Sequence, residues 1–179
     1  AYADETKSAK ATIRALQKFY GPKIRETCKH IYSDNSKEIK DACEHLSLSH
    51  DTSTPHRSET NGIAENAVRK VKEGTACTLG QAKLSDAWWR LAMECFCFLK
   101  NVVDVLWTDK TSYKMRFGED FRGPIYPFGC EVKYFPLSPK DKARLHQMGD
   151  KWLHGIFVGY EQQAGGAWSG DLRVLDWDE

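Results

Sequence analysis

The first 52 residues alternate between helical and extended patterns, and this order restricts the fold more than any other feature of the chain. In the clearest helix, apolar residues recur at spacings of three, four and seven: Ile39, Ala42, Cys43 and Leu46. The predicted segments are a helix over 7–20, a strand over 28–33, a helix over 36–46 and a strand over 48–52. Helix, strand, helix and strand in this order predict an α/β layer architecture.

The rest of the chain is predicted to form two further helices and three strands. A polar loop over 53–60 leads to a helix from Asn61-Gly62 to about Thr75, and Ser85 is a candidate cap for an apolar helix over 86–105. That apolar helix must be covered by the core or serve as an oligomer contact. After residue 124, strands are predicted over 131–135, 155–160 and 171–177. We therefore predict a core over 1–110, a linker over 111–124 and a small β module over 125–179.

Charge is balanced over the whole chain but not locally. The sequence has 26 Lys and Arg against 25 Asp and Glu, for a net charge of +1. This balance excludes a histone-like polycation, so a nucleic-acid surface requires local segregation of charge. Two stretches show it, because residues 7–29 hold seven basic residues against one acid, and residues 133–154 hold five against two.

The cysteines and the hydropathy of the chain indicate the cellular compartment of the protein. Six cysteines form no C-x-x-C pair, which argues against a zinc ribbon and favours reduced, buried thiols in an intracellular protein. The most apolar stretch, 87–106, contains four charged residues, so no membrane span or membrane partner is expected. No signal peptide opens the chain, which begins at Ala1 in structured-looking sequence, as expected of a fragment.

One candidate acid for chemistry, Asp34, follows directly on the first predicted strand. In open α/β sheets, ligand sites gather at the carboxyl ends of strands. The alternative is that Asp34 caps the helix that follows.

The second candidate acid, Glu65, lies one turn inside the helix that begins at Asn61. At 100° per residue, this acid shares a narrow arc with Asn61, Arg69 and Lys72, a combination that suits a phosphodiester site. The neighbouring apolar stripe is predicted to face the core and consists of Ala64, Ala67, Val68 and Val71. Two alternatives are a helix-dipole acid and an ordinary Glu65–Arg69 pair at i, i+4.

Taken together, these motifs resemble a known family. Ser33-Asp34-Asn35, followed by a polar, proline-containing loop that ends in Asn61-Gly62-Ile63-Ala64-Glu65, is similar to the integrase core of long-terminal-repeat retrotransposons, particularly the Copia type. Further segments in matching order are Thr111-Ser112-Tyr113 to Phe117-Gly118, Phe128-Gly129-Cys130 and Gly155 to Tyr160. The resemblance therefore extends over essentially the whole chain.

The resemblance implies a fold, an activity and a location. The fold is an N-terminally truncated, ribonuclease-H-like α/β core followed by an SH3-like β module. The activity is metal-dependent trimming of element DNA and transfer of its 3′ end into target DNA, carried out by a homo-multimer assembled on element-end and target DNA. The enzyme is expected to be intracellular, and nuclear when acting on DNA.

The same resemblance assigns roles to individual residues. Asp34 and Glu65 are the catalytic carboxylates and would ligate two Mg²⁺ or Mn²⁺ ions, for which oxygen ligands are suited. Phosphate-positioning residues are expected to be Asn61, Arg57, Arg69 and Lys72. In the β module, the basic turn with Lys140, Lys142 and Arg144 is a further candidate DNA contact.

This sequence departs from the family pattern at its N-terminal end. The family uses a third carboxylate, from an early strand, and an upstream zinc-binding His/His/Cys/Cys module, and the chain is expected to begin after both. Isolated catalysis is therefore expected to be poor. One alternative is a catalytically inactive, co-opted or decayed nucleic-acid-binding remnant.

A further alternative concerns only the β module, whose aromatic residues suit either a peptide-binding groove or, in most cases, core packing: Tyr126, Phe128, Tyr134, Trp152 and Tyr160.

Overall fold

The computed structural model describes residues 6–53 and 62–176. Its elements, in chain order, are α1 (Ala9–Tyr20), α2 (Ile24–Thr27), β1 (Ile31–Ser33), α3 (Lys37–Leu46), β2 (His50–Thr52), α4 (Gly62–Ala82), a 3-10 turn (Asp86–Trp88), α5 (Trp89–Val103), α6 (Ser112–Phe117), β3 (Glu131–Tyr134), α7 (Pro139–Lys142), β4 (Leu153–Gln162) and β5 (Trp168–Asp176). The mixture and order of helices and strands confirm the predicted α/β class.

Several element boundaries differ from the sequence prediction, two of them in the long helices. Helix α4 continues to Ala82, well past the predicted end near Thr75. The apolar helix predicted over 86–105 begins as a 3-10 turn, so α5 proper spans Trp89–Val103. Ser85 precedes that turn, but its side chain makes no capping hydrogen bond. The apolar pattern predicts the buried face of a helix, whereas its first turn depends on local backbone geometry.

The residues group into two compact units. The first consists of Ala1–Glu73 with Gln162–Ser169, and the second of Gly74–Glu161 with Gly170–Glu179. Strand β3 belongs to the second unit together with α5 and α6. The predicted division into core, linker and SH3-like module stays a prediction.

In the first unit, β1 and β2 form a parallel pair connected through α3. The register aligns Ile31 with His50 and Ser33 with Thr52. Parallel strands need a crossover connection, and α3 is that connection. Its Ala42 and Cys43 side chains are completely buried. Helix α1 packs against α3. A small core of Ile24, Cys28 and Leu46 lies between these elements, with partly buried neighbours Ile13, Leu16, Tyr20, Ile31 and Leu48.

Helix α1 has well-defined ends. The Ser8 hydroxyl accepts a hydrogen bond from the Ala11 N–H at 3.2 Å, as an N-cap does. Gly21 ends the helix with a φ of 78°, a conformation that favours glycine, and its N–H donates to the Gln17 carbonyl. The hairpin tip between β4 and β5 also joins this unit, because the Gly165 N–H donates to the Lys18 carbonyl at 2.9 Å.

In the second unit, the C-terminal half of α4 packs against α5. Gly74 makes this approach possible, because a Cβ atom at this position would lie only 2.0 Å from Cζ of Phe96. Helix α5 buries Ala92, Cys95 and Phe98, so this face of the apolar helix forms core. Phe98 stacks on Tyr160 with ring centroids 4.4 Å apart. Around this pair lies an aromatic cluster that includes Tyr113, Phe117, Phe121 and Phe157.

The second unit also contains most of a three-stranded sheet in the order β3-β4-β5. Strands β3 and β4 are antiparallel, with Glu131 opposite Ile156 and Tyr134 opposite Leu153. Gly155 in β4 allows close approach, because a Cβ there would lie 2.5 Å from the Leu175 carbonyl oxygen. In the described ranges, 6–53 and 62–176, no helix is both long and apolar enough to span a membrane.

Candidate functional site

Asp34 lies immediately after β1, at the carboxyl end of the parallel pair. The preceding Ser33 hydroxyl donates to the Asp34 carbonyl oxygen at 2.8 Å. Because that donation uses the single hydroxyl proton, Nε2 of His50 donates to the Ser33 oxygen across the strands, also at 2.8 Å. Residue Asp34 is exposed, and the N-cap of α3 is Ser36. Asp34 is therefore not the N-cap of α3, contrary to the alternative considered for it.

Glu65 lies in the first turn of α4, on an open groove of about 550 Å³. The described residues that line this groove are Ala64, Glu65, Val68, Arg69, Lys72 and Glu73. The structure thus brings together three of the predicted site residues, Glu65, Arg69 and Lys72, on one surface. An acid beside two cations on an open surface suits a phosphodiester with a bound cation.

The alternative ion pair between Glu65 and Arg69 does not form. Arg69 instead donates to Oε1 of Glu73 at 3.1 Å and to the amide oxygen of Asn66 at 2.9 Å. Among the described residues, no ion pair engages Glu65. Glu65 is exposed.

The predicted core stripe of α4 is wrong in the first half of the helix. Ala64 and Ala67 are exposed, Val68 is 54% exposed, and Val71 is only half-buried. The buried positions of α4 are Thr75 and Leu79, further along the helix. Helical periodicity shows which residues share a face, but burial also needs an element that covers that face.

Two predicted phosphate-positioning residues, Arg57 and Asn61, lie outside the described residues. Of the predicted two-ion site, the described residues include the two carboxylate ligands Asp34 and Glu65. Within the ranges 6–53 and 62–176, no group of three or more His, Cys, Asp or Glu side chains is arranged to hold a metal ion. Asp34 and Glu65 offer the oxygen donors that Mg²⁺ prefers, but two carboxylates do not make a complete site.

The basic segment over 140–144 begins in a short helix, α7, rather than forming the predicted turn. The Ser138 hydroxyl caps it by accepting from the Asp141 N–H at 3.1 Å. Lys140 and Lys142 are exposed. Arg144 is ion-paired with Asp176 in β5 through both terminal nitrogens, the second of these hydrogen bonds being 3.0 Å long. Arg144 therefore fastens α7 to the sheet, a role that its place in a basic run does not indicate.

The other family-like motifs serve the fold. The Thr111 hydroxyl caps α6 by accepting from the Lys114 N–H, and Gly118 ends α6 in the left-handed conformation. The Gly129 N–H donates to the Phe157 carbonyl, and the Phe157 N–H donates to the Cys130 carbonyl, each at 2.9 Å. The motifs around Gly129 and Phe157 thus bond to each other.

One residue near Asp34 was not predicted. His50 contacts Ser33 because the parallel register places the start of β2 beside β1, and partial burial holds the ring there. Histidine in a strand is unremarkable in sequence, so only the strand register would have indicated this contact.

Comparisons with known proteins identify the chain's relatives. It is 28% identical over 173 residues to the retrovirus-related Pol polyprotein from transposon TNT 1-94 of Nicotiana tabacum, covering 86% of this chain and 12% of the polyprotein. It is 31% identical over 137 residues to the corresponding polyprotein from transposon RE1 of Arabidopsis thaliana, covering 72% of this chain and 9% of the polyprotein. No protein-family profile matches the chain.

The homologues of this chain are therefore retrovirus-related Pol polyproteins from plant transposons, as the motif resemblance indicated. The chain spans only about a tenth of the length of those relatives.

Two solved structures give partial matches to the chain. The catalytic core domain of BIV integrase has a TM-score of 0.42 at 20% identity, covering 60% of this chain and 66% of that chain. A simian T-cell lymphotropic virus intasome in complex with the PP2A regulatory subunit B56 gamma has a TM-score of 0.46 at 17% identity, covering 97% of this chain and 64% of that chain.

Proposed function

We propose that this chain is part of a Copia-type retrotransposon integrase that trims element DNA and transfers its 3′ end into target DNA. The observation that carries the proposal is the placement of the two acids. Asp34 directly follows strand β1 of the parallel pair. Glu65 shares a groove with Arg69 and Lys72 and has no ion pair among the described residues. The homology to transposon Pol polyproteins supports this assignment.

In this proposal Asp34 and Glu65 are metal ligands for Mg²⁺ or Mn²⁺. Two divalent ions, when bound, would activate the attacking oxygen and stabilise the leaving oxygen of a phosphodiester. A third carboxylate is expected from another strand, as the family resemblance implies. Within the described residues β1 pairs only with β2, so its other edge is open to such a strand beside Asp34.

The cations of the groove would position the DNA backbone. Arg69 has five N–H groups, and its bonds to Glu73 and Asn66 leave others for a phosphate oxygen. Lys72 adds a second positive charge on the same groove. Arg57 and Asn61 are proposed to contribute from the loop before α4.

In the second unit, Lys140 and Lys142 of α7 are the proposed DNA contacts, and Arg144 would hold that helix in place through Asp176. The proposed partners are element-end DNA and target DNA, bound by a homo-multimer. Action on chromosomal DNA would take place in the nucleus.

The test of the proposed chemistry is strand transfer by the longer polypeptide that carries this chain, assayed on element-end DNA with Mn²⁺. Glu65→Gln keeps the size of the side chain and removes its charge. We expect strand transfer to fall by at least about a hundredfold, as the loss of a metal ligand implies.

Glu73→Gln is the matched control, because it removes a carboxylate from the same helix and the same groove. It breaks the pair with Arg69 and is expected to reduce activity less than tenfold. Equal loss in both variants would mean that only the charge of the groove matters, and full activity of Glu65→Gln would overturn the assignment.

A further inference from the structure

An exposed aromatic pair extends the β3–β4 ladder. Phe135 directly follows β3, and Trp152 directly precedes β4. Their ring centroids are 5.7 Å apart, with the ring planes 78° from parallel. Phe135 is nevertheless 53% exposed and Trp152 50% exposed. An edge-to-face contact occupies only one of the four ring faces, so much of the aromatic surface remains open to a ligand.

The same face of the β3–β4 pair carries a lysine and a histidine. Strand residues alternate sides, so the side that holds Phe135 and Trp152 also holds the opposed residues Lys133 and His154. Lys133 is exposed and lies 3.8 Å from Asp150, a long ion pair at the surface. His154 bonds Glu131 at 2.7 Å, which places the acid at the far end of the face from the aromatic pair.

This combination differs from ordinary core aromatics. Phe157 and Tyr160, in the same sheet, are almost fully buried and bond or pack within the second unit. The aromatic pair instead lies in the stretch 133–154, where five basic residues stand against two acids. Open ring faces beside positive charge match a ligand that has flat apolar groups joined by anionic ones.

We propose that this face binds unpaired nucleotides, with a base stacking on Trp152 and Phe135 while Lys133 and other lysines of the stretch 133–154 contact the phosphates. Unpaired bases expose their π faces, whereas a duplex hides them between neighbouring base pairs. The inference goes beyond the proposed integrase function and assigns the β module a preference for single-stranded over double-stranded nucleic acid. A peptide or a second copy of the chain would use the aromatic pair without needing the lysines.

The test measures binding of the full chain to a fluorescein-labelled oligothymidylate of about twelve nucleotides, a length within the site sizes of single-strand binders. The comparison ligand is a duplex of the same length, and both titrations use low salt without divalent metal. We expect Trp152→Ala to weaken oligothymidylate binding by roughly tenfold or more and to change duplex binding less than twofold. Trp152→Phe should retain most of the affinity, because an aromatic face remains.

Trp107→Ala is the matched control, because Trp107 is a tryptophan of the second unit that is 94% exposed and lies on a different turn. It is expected to leave oligothymidylate binding unchanged. Circular dichroism checks that each variant is folded, as substitution of exposed side chains should permit.

Three results would overturn the inference: no binding of oligothymidylate by the unsubstituted chain, an equal loss for single strand and duplex in Trp152→Ala, or an aggregation state that changes with Trp152→Ala. The last would assign the face to contact between copies. Failure here is separable from failure of the integrase proposal, because strand transfer by Glu65 does not depend on single-strand preference.

Discussion

Helix α4 carries Glu65 in its first turn and is anchored through its second half, where Gly74 meets the ring of Phe96. Gly74→Ala combines two opposing effects. Alanine in a helix interior is favoured over glycine by about 0.8–1 kcal/mol. The new methyl group, however, would lie 2.0 Å from Cζ and 2.4 Å from two further ring atoms of Phe96. Overpacking of this kind costs roughly 1–3 kcal/mol, so we expect a net loss of about 0–2 kcal/mol.

Gly80→Ala separates the two effects. Gly80 lies in the same helix, but a Cβ atom there would meet nothing within 4 Å. This variant should therefore gain the helix-propensity term of about 0.8–1 kcal/mol without the clash. The difference in unfolding free energy between the two variants isolates the overpacking of Phe96 and should be about 1–3 kcal/mol.

The assay is urea unfolding followed by tryptophan fluorescence, with the melting temperature as a second measure. For a chain of this size, about 2–4 °C accompany each kcal/mol. Gly80→Ala should melt above the unsubstituted chain and Gly74→Ala below it. If both substitutions stabilise the chain equally, Phe96 does not pack on Gly74 and the anchoring of α4 to α5 is refuted.

Three further substitutions or titrations test the second unit. Arg173→Met removes the guanidinium that donates to the largely buried Glu94 carboxylate at 2.8 Å. It should lower the free energy of unfolding by roughly 1–3 kcal/mol. An unchanged urea midpoint would contradict the contact. Burial raises the pKa of Cys95 to about 12, so a thiol reagent at pH 8 should label the exposed Cys77 and leave Cys95 unmodified until the chain unfolds. Burial, and after it the hydrogen bond to the Asp176 carboxylate, raises the pKa of Tyr134 to about 12. The contribution of this phenol to stability is therefore present below pH 10 and is lost as the pH rises from 10 to 12. Tyr134→Phe should abolish the last phenolate step in an absorbance titration.

The secondary structure of the first unit was largely predictable, because helical and strand periodicities depend on neighbouring residues alone. The pattern at Ile39, Ala42, Cys43 and Leu46 predicts α3, and two of these residues are fully buried. The exposure of Val68 was not predictable in the same way. Its helical face follows from sequence spacing, whereas its burial depends on which distant element covers that face.

The candidate site shows the same division between local pattern and long-range contact. The motifs predicted Asp34 and Glu65. The structure shows neither Asp34 as the cap of α3 nor an ion pair between Glu65 and Arg69, and it places Glu65 in the first turn of α4, where an acid also interacts favourably with the helix dipole. The partner of Arg144 could not be predicted, because Asp176 lies 32 residues away in sequence on a strand with its own register.

The proposed metal site that joins Asp34 and Glu65 can be tested without any catalytic assay, by NMR of the isotopically labelled chain during addition of trace Mn²⁺. Paramagnetic broadening falls steeply with distance from the ion. We expect the backbone signals around Asp34 and Glu65 to broaden at the same low Mn²⁺ concentration, and both effects to disappear in Glu65→Gln. Broadening confined to one of the two segments, or centred on other acidic residues, would contradict a site that joins them.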